Sequence, residues 1–367
     1  MQCVVDRVLP NTSIAHHPMF WKTAAERTTK RVGYWMLGTS GLVASIIVVG
    51  GITRLTESGL SITQWNLISG MRYPDKDKWQ IEYSRYKETP EFKLLNHQMS
   101  LEEFKGIYFW EWAHRMLGRT IGMFVVLPGL YFMYKGEMTR PIRNRSLGLM
   151  ALVGFQGALG WYMVKSGLDN TLLQHSETPR VSPYRLASHL TSAFAIYCTS
   201  FYSGLQILKP HTTRNPLHKL GLGLFALAAT TATSGAFVAG LDAGLVYNTW
   251  PLMESSFIPD KQELLFLQPK WKNFFENQAT VQLDHRLLAY TTFISAFSFF
   301  FFAKRSRAHP KILSSIKGVL HMITLQATLG ITTLIYLVPL PLAAAHQAGS
   351  VGVLSTLMLM LHRMRLF

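Results

Sequence analysis

Apolar residues gather along this chain into runs near the length a bilayer demands, about 20 residues. Segments 32–53, 146–164, 186–208, 220–241 and 287–303 carry no formal charge. Segment 318–345 is also uncharged, but Pro339 and Pro341 predict a break near Val338 and a further run over 342–361. Residues 120–134 are apolar but short. Extended back over 107–119 they reach spanning length, at the cost of taking in Glu111, His114, Arg115 and Arg119. The pattern predicts eight helices and an all-α integral membrane protein.

The chain also repeats itself. Glu57-Ser58-Gly59-Leu60, ending at Trp65, matches Asp242-Ala243-Gly244-Leu245, ending at Trp250, at an offset of 185. His114-Arg115-Met116-Leu117 matches His285-Arg286-Leu287-Leu288 at 171, and Phe155–Gly160 matches Leu325–Gly330 at 170. Ala187-Ser188-His189 matches Ala344-Ala345-His346 at 157. The two jumps in offset, of 14 and 13, fall in outer loops, where length changes are tolerated. The expected organisation is a leading segment 1–31, a four-helix half over 32–208 and a second over 219–363. An even number of helices per half keeps both in one orientation, so the two tandem four-helix bundles are related by a pseudo-two-fold axis along the membrane normal.

Charge settles the orientation. Lys and Arg number 36 against 20 Asp and Glu, a net charge of +16, yet only 15% of residues are charged. The basic residues form short clusters between apolar runs, not one stripe, which argues against a nucleic-acid partner. Eighteen of them, from Lys22 through Arg140 and Lys304 to Arg365, fall on one side in the short loops and tails. Only Lys165, Arg180 and Arg185 fall opposite. The rule that basic short loops stay inside places both termini on the cytoplasm-equivalent side. Two cysteines, Cys3 and Cys198, exclude a Cys-based zinc site, an iron–sulfur centre and a disulfide framework.

Four of the thirteen histidines carry the chemistry. His114, His189, His285 and His346 lie near the outer ends of the second, fourth, sixth and eighth spans, roughly 22–30 Å from the inner ends at the helical rise. A single intramembrane histidine is often a satisfied interhelical hydrogen bond. Four recurring in pairs at equivalent helices are a functional pattern. Cysteines and acidic ligands at metal-site spacing do not accompany them, which leaves paired trans imidazoles from facing helices, a geometry suited to a flat haem. Each half then holds one. Arg115, Arg119 and Arg286 stand beside the histidines as candidate propionate partners, with anchoring at the interface the alternative. Glycines including Gly50, Gly160 and Gly235 allow close helix packing and leave room for a macrocycle. Glu57 follows the first span and has Asp242 as its repeat counterpart. It reads as a solvated carboxylate or as a proton acceptor near the histidine layer.

The segments Gly50–Ser61, Glu111–Arg115, Asn248–Met253 and Asp284–Arg286 resemble the signatures of the haem A synthase family, the mitochondrial Cox15 proteins and their bacterial relatives. The resemblance runs from about Lys30 to Arg363 and, lacking loop cysteine pairs, is to the mitochondrial and proteobacterial type. It implies an oxidoreductase that converts the C8 methyl group of haem O to the formyl group of haem A for cytochrome c oxidase assembly. It also implies that His114 and His189 flank the substrate haem O, that His285 and His346 are axial ligands of a haem b cofactor, and that Glu57 is catalytic. The partners implied are haem O from its own synthase, an electron carrier with a ferredoxin as candidate, and the lipid bilayer, with a homo-oligomer admitted. The location implied is the mitochondrial inner membrane with both termini in the matrix, or a bacterial inner membrane for a bacterial chain. Residues 1–31 then read as a matrix segment or transit-peptide remnant, although Asp6 and Glu26 fit that poorly.

Two oxidations of a methyl group give a gem-diol, which loses water to the aldehyde. The residues leave open whether the oxygen comes from water or O₂. Two rivals explain part of the pattern. A di-haem electron carrier of the cytochrome b561 kind accounts for four histidines but not for the repeat or the Glu57 segment. A transporter of parallel repeats accounts for the repeat, with histidines as proton relays.

Overall fold

The computed structural model describes residues 27–366 apart from 67–68, 175–178 and 211–214. Cys3, Lys22, Arg214 and most of the leading segment 1–31 lie outside the described residues. Eight helices of 24 or more residues dominate. They are α1 (Lys30–Leu55), α2 (Leu101–Tyr134), α3 (Arg140–Gly167), α4 (Pro183–Leu208), α5 (Leu217–Gly240), α6 (Gln278–Arg305), α7 (Pro310–Ile335) and α8 (Leu340–Leu366). Each starts and stops for a local reason. The Ser100 hydroxyl and Glu103 carboxylate form a reciprocal capping box at the start of α2. Asn277 caps α6 by accepting from the Ala279 and Thr280 amides. Proline stands in the first turn of α3, α4 and α7, where its missing N–H costs nothing. The break expected at Pro339 and Pro341 falls between Ile335 and Leu340, with Leu337 and Val338 at φ of 61° and 56°.

Seven of the eight helices are long and apolar enough to cross a membrane, among the described residues. The exception, α4, has 26 residues but carries Thr191, Ser192, Tyr197, Thr199, Ser200, Tyr202 and Ser203. It packs against α1, α3, α5 and α8, so neighbours supply partners for its polar groups. Tyr197 and Ser355 on α8 share a hydrogen bond at 2.5 Å. Apolar side chains face outward on the other helices, with Leu127 and Ile294 each 63% exposed. Such a surface is a liability in water and what a lipid environment requires.

The start of α1 meets the end of α4, where a Cβ on Gly204 would stand 3.1 Å from the Gly33 carbonyl oxygen. The start of α5 meets the end of α8 at Gly221 and Leu361. Both ends of the described chain therefore lie on one face of the bundle. One apolar core gathers Trp35, Ile121, Phe132, Leu149 and Tyr197 of α1–α4 together with Val351, Leu354 and Met358 of α8. A second gathers Leu224, Phe299, Ile316 and Leu357 among α5–α8. Helix α2 starts six residues before the span expected for it, and at 34 residues its outer end projects as a scaffold. Phe104 and Tyr108 on that end pack against Trp79 and Tyr86 of an outer cap that includes helices Trp79–Lys87 and Pro90–Leu94.

Candidate functional site

Each of the four histidines lies against a glycine of the preceding long helix. A Cβ at Gly50 would stand 2.8 Å from His114 Cε1, one at Gly160 3.0 Å from His189 Cε1, one at Gly235 3.3 Å from His285 Cε1 and one at Gly330 2.8 Å from His346 Cε1. The glycines repeat at offsets of 185 and 170, those of the Glu57 and Phe155 segments, while the histidines repeat at 171 and 157. Gly330 completes the set, and its repeat match to Gly160 was the signal for it. Gly41, Gly154, Gly157 and Gly223 face open space instead.

The histidines are brought together in pairs. The His285 and His346 rings have centroids 6.5 Å apart and planes at 89°. Two imidazoles bonded to one metal ion from opposite sides, at about 2.0–2.1 Å per nitrogen, have ring centres about 6 Å apart. His114 and His189 lie close enough for their charges to interact. The Nδ1 atoms of His114, His189 and His346 are buried without a hydrogen-bond partner. Buried polar atoms are rarely left so, which marks the histidine layer as one that the polypeptide alone does not satisfy. The residues present fit a haem between each pair.

The outer ends of α2 and α6 make equivalent bonds. Arg115 donates to the Ile62 and Gln64 carbonyls at 2.8 and 2.9 Å. Arg286 donates to the Tyr247 and Thr249 carbonyls at 3.1 and 2.9 Å. These acceptors are related by the same offset of 185. Both arginines, considered from sequence as propionate partners, thus pin the segment that follows the Glu57 or Asp242 motif. Arg119 donates to the Asn66 carbonyl at 2.8 Å.

Their remaining partners differ. Arg115 also donates from Nε and Nη2 to Glu111 Oε1, at 3.1 and 2.7 Å, in a pair whose side chains are 10% and 4% exposed. Glu111 Oε2 accepts from the Ser61 hydroxyl and the Ile62 amide, each at 2.7 Å. At the position equivalent to Glu111 stands Gln282, which donates to the Ala243 and Tyr247 carbonyls. Arg286 therefore has no carboxylate there, and its buried Nε is unpartnered.

Glu57 and Asp242 close α1 and α5 in the same left-handed conformation, φ 51° and 54°. Around Glu57 the amides of Glu57 and Ser58 donate to the Arg54 and Thr53 carbonyls, the helix stop that usually takes glycine at this position. Left-handed backbone at a non-glycine residue is disfavoured and clusters at functional sites. Glu57 is exposed and, among the described residues, has no ion-pair partner. It stands seven residues beyond Gly50, about 10 Å further out along the helix. This differs from the sequence expectation of a carboxylate within the histidine layer, because α1 runs on past that layer. Asp242 instead pairs with Arg54 at 2.7 Å and Arg180 at 3.6 Å, joining the two sets of helices.

Residues around the histidines that the sequence reading gave no role include Gln156, Gln326, Ser234 and Asp284. Gln156 and Gln326 donate to the main-chain carbonyls of His189 and His346, at 3.0 and 2.9 Å. Ser234 bonds His285 Nδ1 at 2.7 Å. Asp284 lines a cavity of about 630 Å³ with Thr230, Thr233, Ser234 and Leu288. Gln156 and Gln326 were reachable from the repeat, which pairs them at an offset of 170; Ser234, which stands opposite Val49, and Asp284 were not.

Fold and site together define a polytopic membrane protein with histidine pairs facing one another between its helices. The family described as Cytochrome oxidase assembly protein (COX15-CtaA) matches residues 33–358. This chain belongs to that family. It is 43% identical over 370 residues to the Heme A synthase COX15 of Saccharomyces cerevisiae, covering 92% of this chain and 76% of that protein. It is 42% identical over 337 residues to the Heme A synthase of Parvibaculum lavamentivorans, covering 91% and 94%. A Heme A synthase-mitochondrial ferredoxin fusion protein of Schizosaccharomyces pombe is 44% identical over 370 residues, covering 92% of this chain and 60% of the fusion. These matches are to synthases and give no support to the di-haem carrier.

Proposed function

We propose that this chain is a haem A synthase of the inner membrane, oxidising the C8 methyl group of haem O to a formyl group. The observation that carries the reading is the glycine-cradled His285–His346 pair, 6.5 Å between ring centres, with His114 and His189 cradled by glycines in the same way. All eight long helices count as spans in this reading, with α4 the most protein-enclosed, and the 32–208 and 219–363 halves are related by a two-fold axis. His114 and His189 flank substrate haem O. His285 and His346 hold haem b, which when bound supplies one-electron transfer. The polar outer segments pinned by Arg115 and Arg286 close over the histidine layer and limit water.

Glu57 is placed to take a proton released as the methyl group is oxidised, because among the described residues its carboxylate has no ion-pair partner. Arg286, with an unpartnered Nε, and Arg119 are the propionate partners; the Arg115 guanidinium is engaged by Glu111 and two carbonyls. A ferredoxin-type protein is the electron partner, supported by the name of the fission-yeast fusion. Both termini lie on the matrix side, supported by the basic loops. The test is pigment analysis of a host that makes haem O, with and without this chain. Haem A only when the chain is present is the expected outcome, and unchanged haem O sinks the reading.

A further inference from the structure

The four cradled histidines are alike in their glycines but not in what meets the rest of the ring. Ser234 lies one turn from Thr231 on α5 and gives its hydroxyl hydrogen to the Thr231 carbonyl at 2.8 Å. The same oxygen lies 2.7 Å from His285 Nδ1. A hydroxyl has one hydrogen to give. When that hydrogen goes to the carbonyl, which can only accept, the serine oxygen accepts from the imidazole, so that Nδ1 carries the proton and Nε2 keeps its lone pair. A ligating histidine uses its other ring N–H in this manner, which fixes tautomer and ring orientation and raises ligand basicity.

At the first-half equivalent of Ser234, 185 positions earlier, stands Val49, which has nothing to offer the ring. His114 Nδ1 is accordingly buried and unpartnered, as are those of His189 and, in the second half, His346, so the serine contact distinguishes His285 alone. The His189 Nε2 atom, moreover, has the Gln156 side-chain amide 3.4 Å away, a weak competitor for its lone pair. Gln326, the counterpart of Gln156, shows no such approach and bonds only the His346 main chain.

We propose that Ser234 is a positioning residue that locks His285 as an Nε2 ligand, and that Val49 leaves the first-half site unlocked so that its haem can exchange. The inference rests on the reading of the histidine pairs as haem sites and explains how two sites of one geometry serve a retained cofactor and a passing substrate. A substrate site that bound its haem as firmly as the cofactor site would not release product.

The test uses the full-length protein purified in detergent. Haem b content and its low-spin optical and paramagnetic resonance spectra are followed during incubation with apomyoglobin, which captures released haem. In Ser234→Ala, haem b should be lost about 10–100-fold more readily, the usual cost of removing such a partner, and its axial-ligand spectrum should broaden. Ser234→Thr, which restores a hydroxyl, should recover both. Val49→Ser should slow release of first-half haem while leaving haem b unchanged. His285→Ala separates the two levels of the argument. If it retains haem b, the assignment of His285 as a ligand is wrong. If it loses haem b while Ser234→Ala keeps wild-type retention and spectrum, the assignment stands and the proposal for Ser234 is overturned.

Discussion

In the first four helices the arginine beside the outer histidine is neutralised by a buried carboxylate; in the last four it is not. Arg115 has Glu111, whereas Arg286 has Gln282, although both arginines hold the same two carbonyls of equivalent segments. The carboxylates that end α1 and α5 are reversed in the same sense: Glu57 is free and Asp242 is tied to Arg54 and Arg180. The two arginines share their hydrogen bonds to equivalent carbonyls, and the charges set beside them differ. A buried cation without a partner favours an anion and an electron nearby, which suits a haem that carries electrons. A free carboxylate suits the side where a proton must leave. Under the proposed function, the difference teaches that one architecture serves two haems for two purposes through the charges set on it.

The largest effect that would sharpen this contrast is removal of the histidines. His285→Ala or His346→Ala should abolish haem b binding, whereas His114→Ala or His189→Ala should abolish conversion and leave haem b in place. Haem b falling equally in all four, measured as pyridine haemochrome, would erase the distinction. Next comes Glu57→Gln, which should cut haem A formation by about 10²–10⁴-fold, the usual range for an acid–base group, with haem b unchanged. Asp242→Asn should do less, since its ion pair with Arg54 is partly exposed and such pairs contribute about 0–1 kcal/mol. If Asp242→Asn proves the more damaging in a pigment assay, the roles have been exchanged.

The glycine cradles give an intermediate effect. Gly330→Ala places a methyl 2.8 Å from His346 Cε1 and should displace the ring, whereas Gly235→Ala, at 3.3 Å from His285, should be milder. Haem b occupancy in the two variants reads the order directly. Gln282→Glu gives Arg286 the counter-charge that Arg115 already has, so the reduction potential of haem b should fall; a spectroelectrochemical titration that shows no change, or a rise, contradicts the electrostatic account.

The smallest effect concerns the outer caps. The first-half cap buries Glu91, which accepts from the Tyr86 hydroxyl at 3.1 Å. Burial pushes its carboxyl up to about 8, against the lowering effect of that hydrogen bond. The folded cap then holds a proton that the unfolded chain has released, so its stability should decline as pH rises from the ordinary carboxylate range through about 8. The second-half segment is knit by the neutral amides of Asn273 and Asn277, with Asn277 Nδ2 donating to Asn273 Oδ1 at 3.1 Å, and should lack this dependence. Thermal melting followed by Trp79 fluorescence, in wild type and Glu91→Gln, tests it; a cap whose melting is indifferent to pH in both would refute it.

The sequence by itself determined the helices, the break before α8, the repeat and the four histidines. Lipid solvation acts on each segment separately, so it leaves its record as runs of apolar residues, and duplication leaves its record as constant offsets. What it left undecided depends on the rotation and stagger of one helix against another. Only the folded chain brings Arg54 to Asp242 across 188 positions, or Gln347 to the Ile47 carbonyl across 300. Only it shows that Arg115 and Arg286 reach back to loop carbonyls, that Glu57 stands beyond the histidine layer, and that the Ser234 hydroxyl meets His285. Such pairings depend on differences of a few tenths of an ångström in the spacing of side chains on different helices, and a one-dimensional pattern contains no term for them.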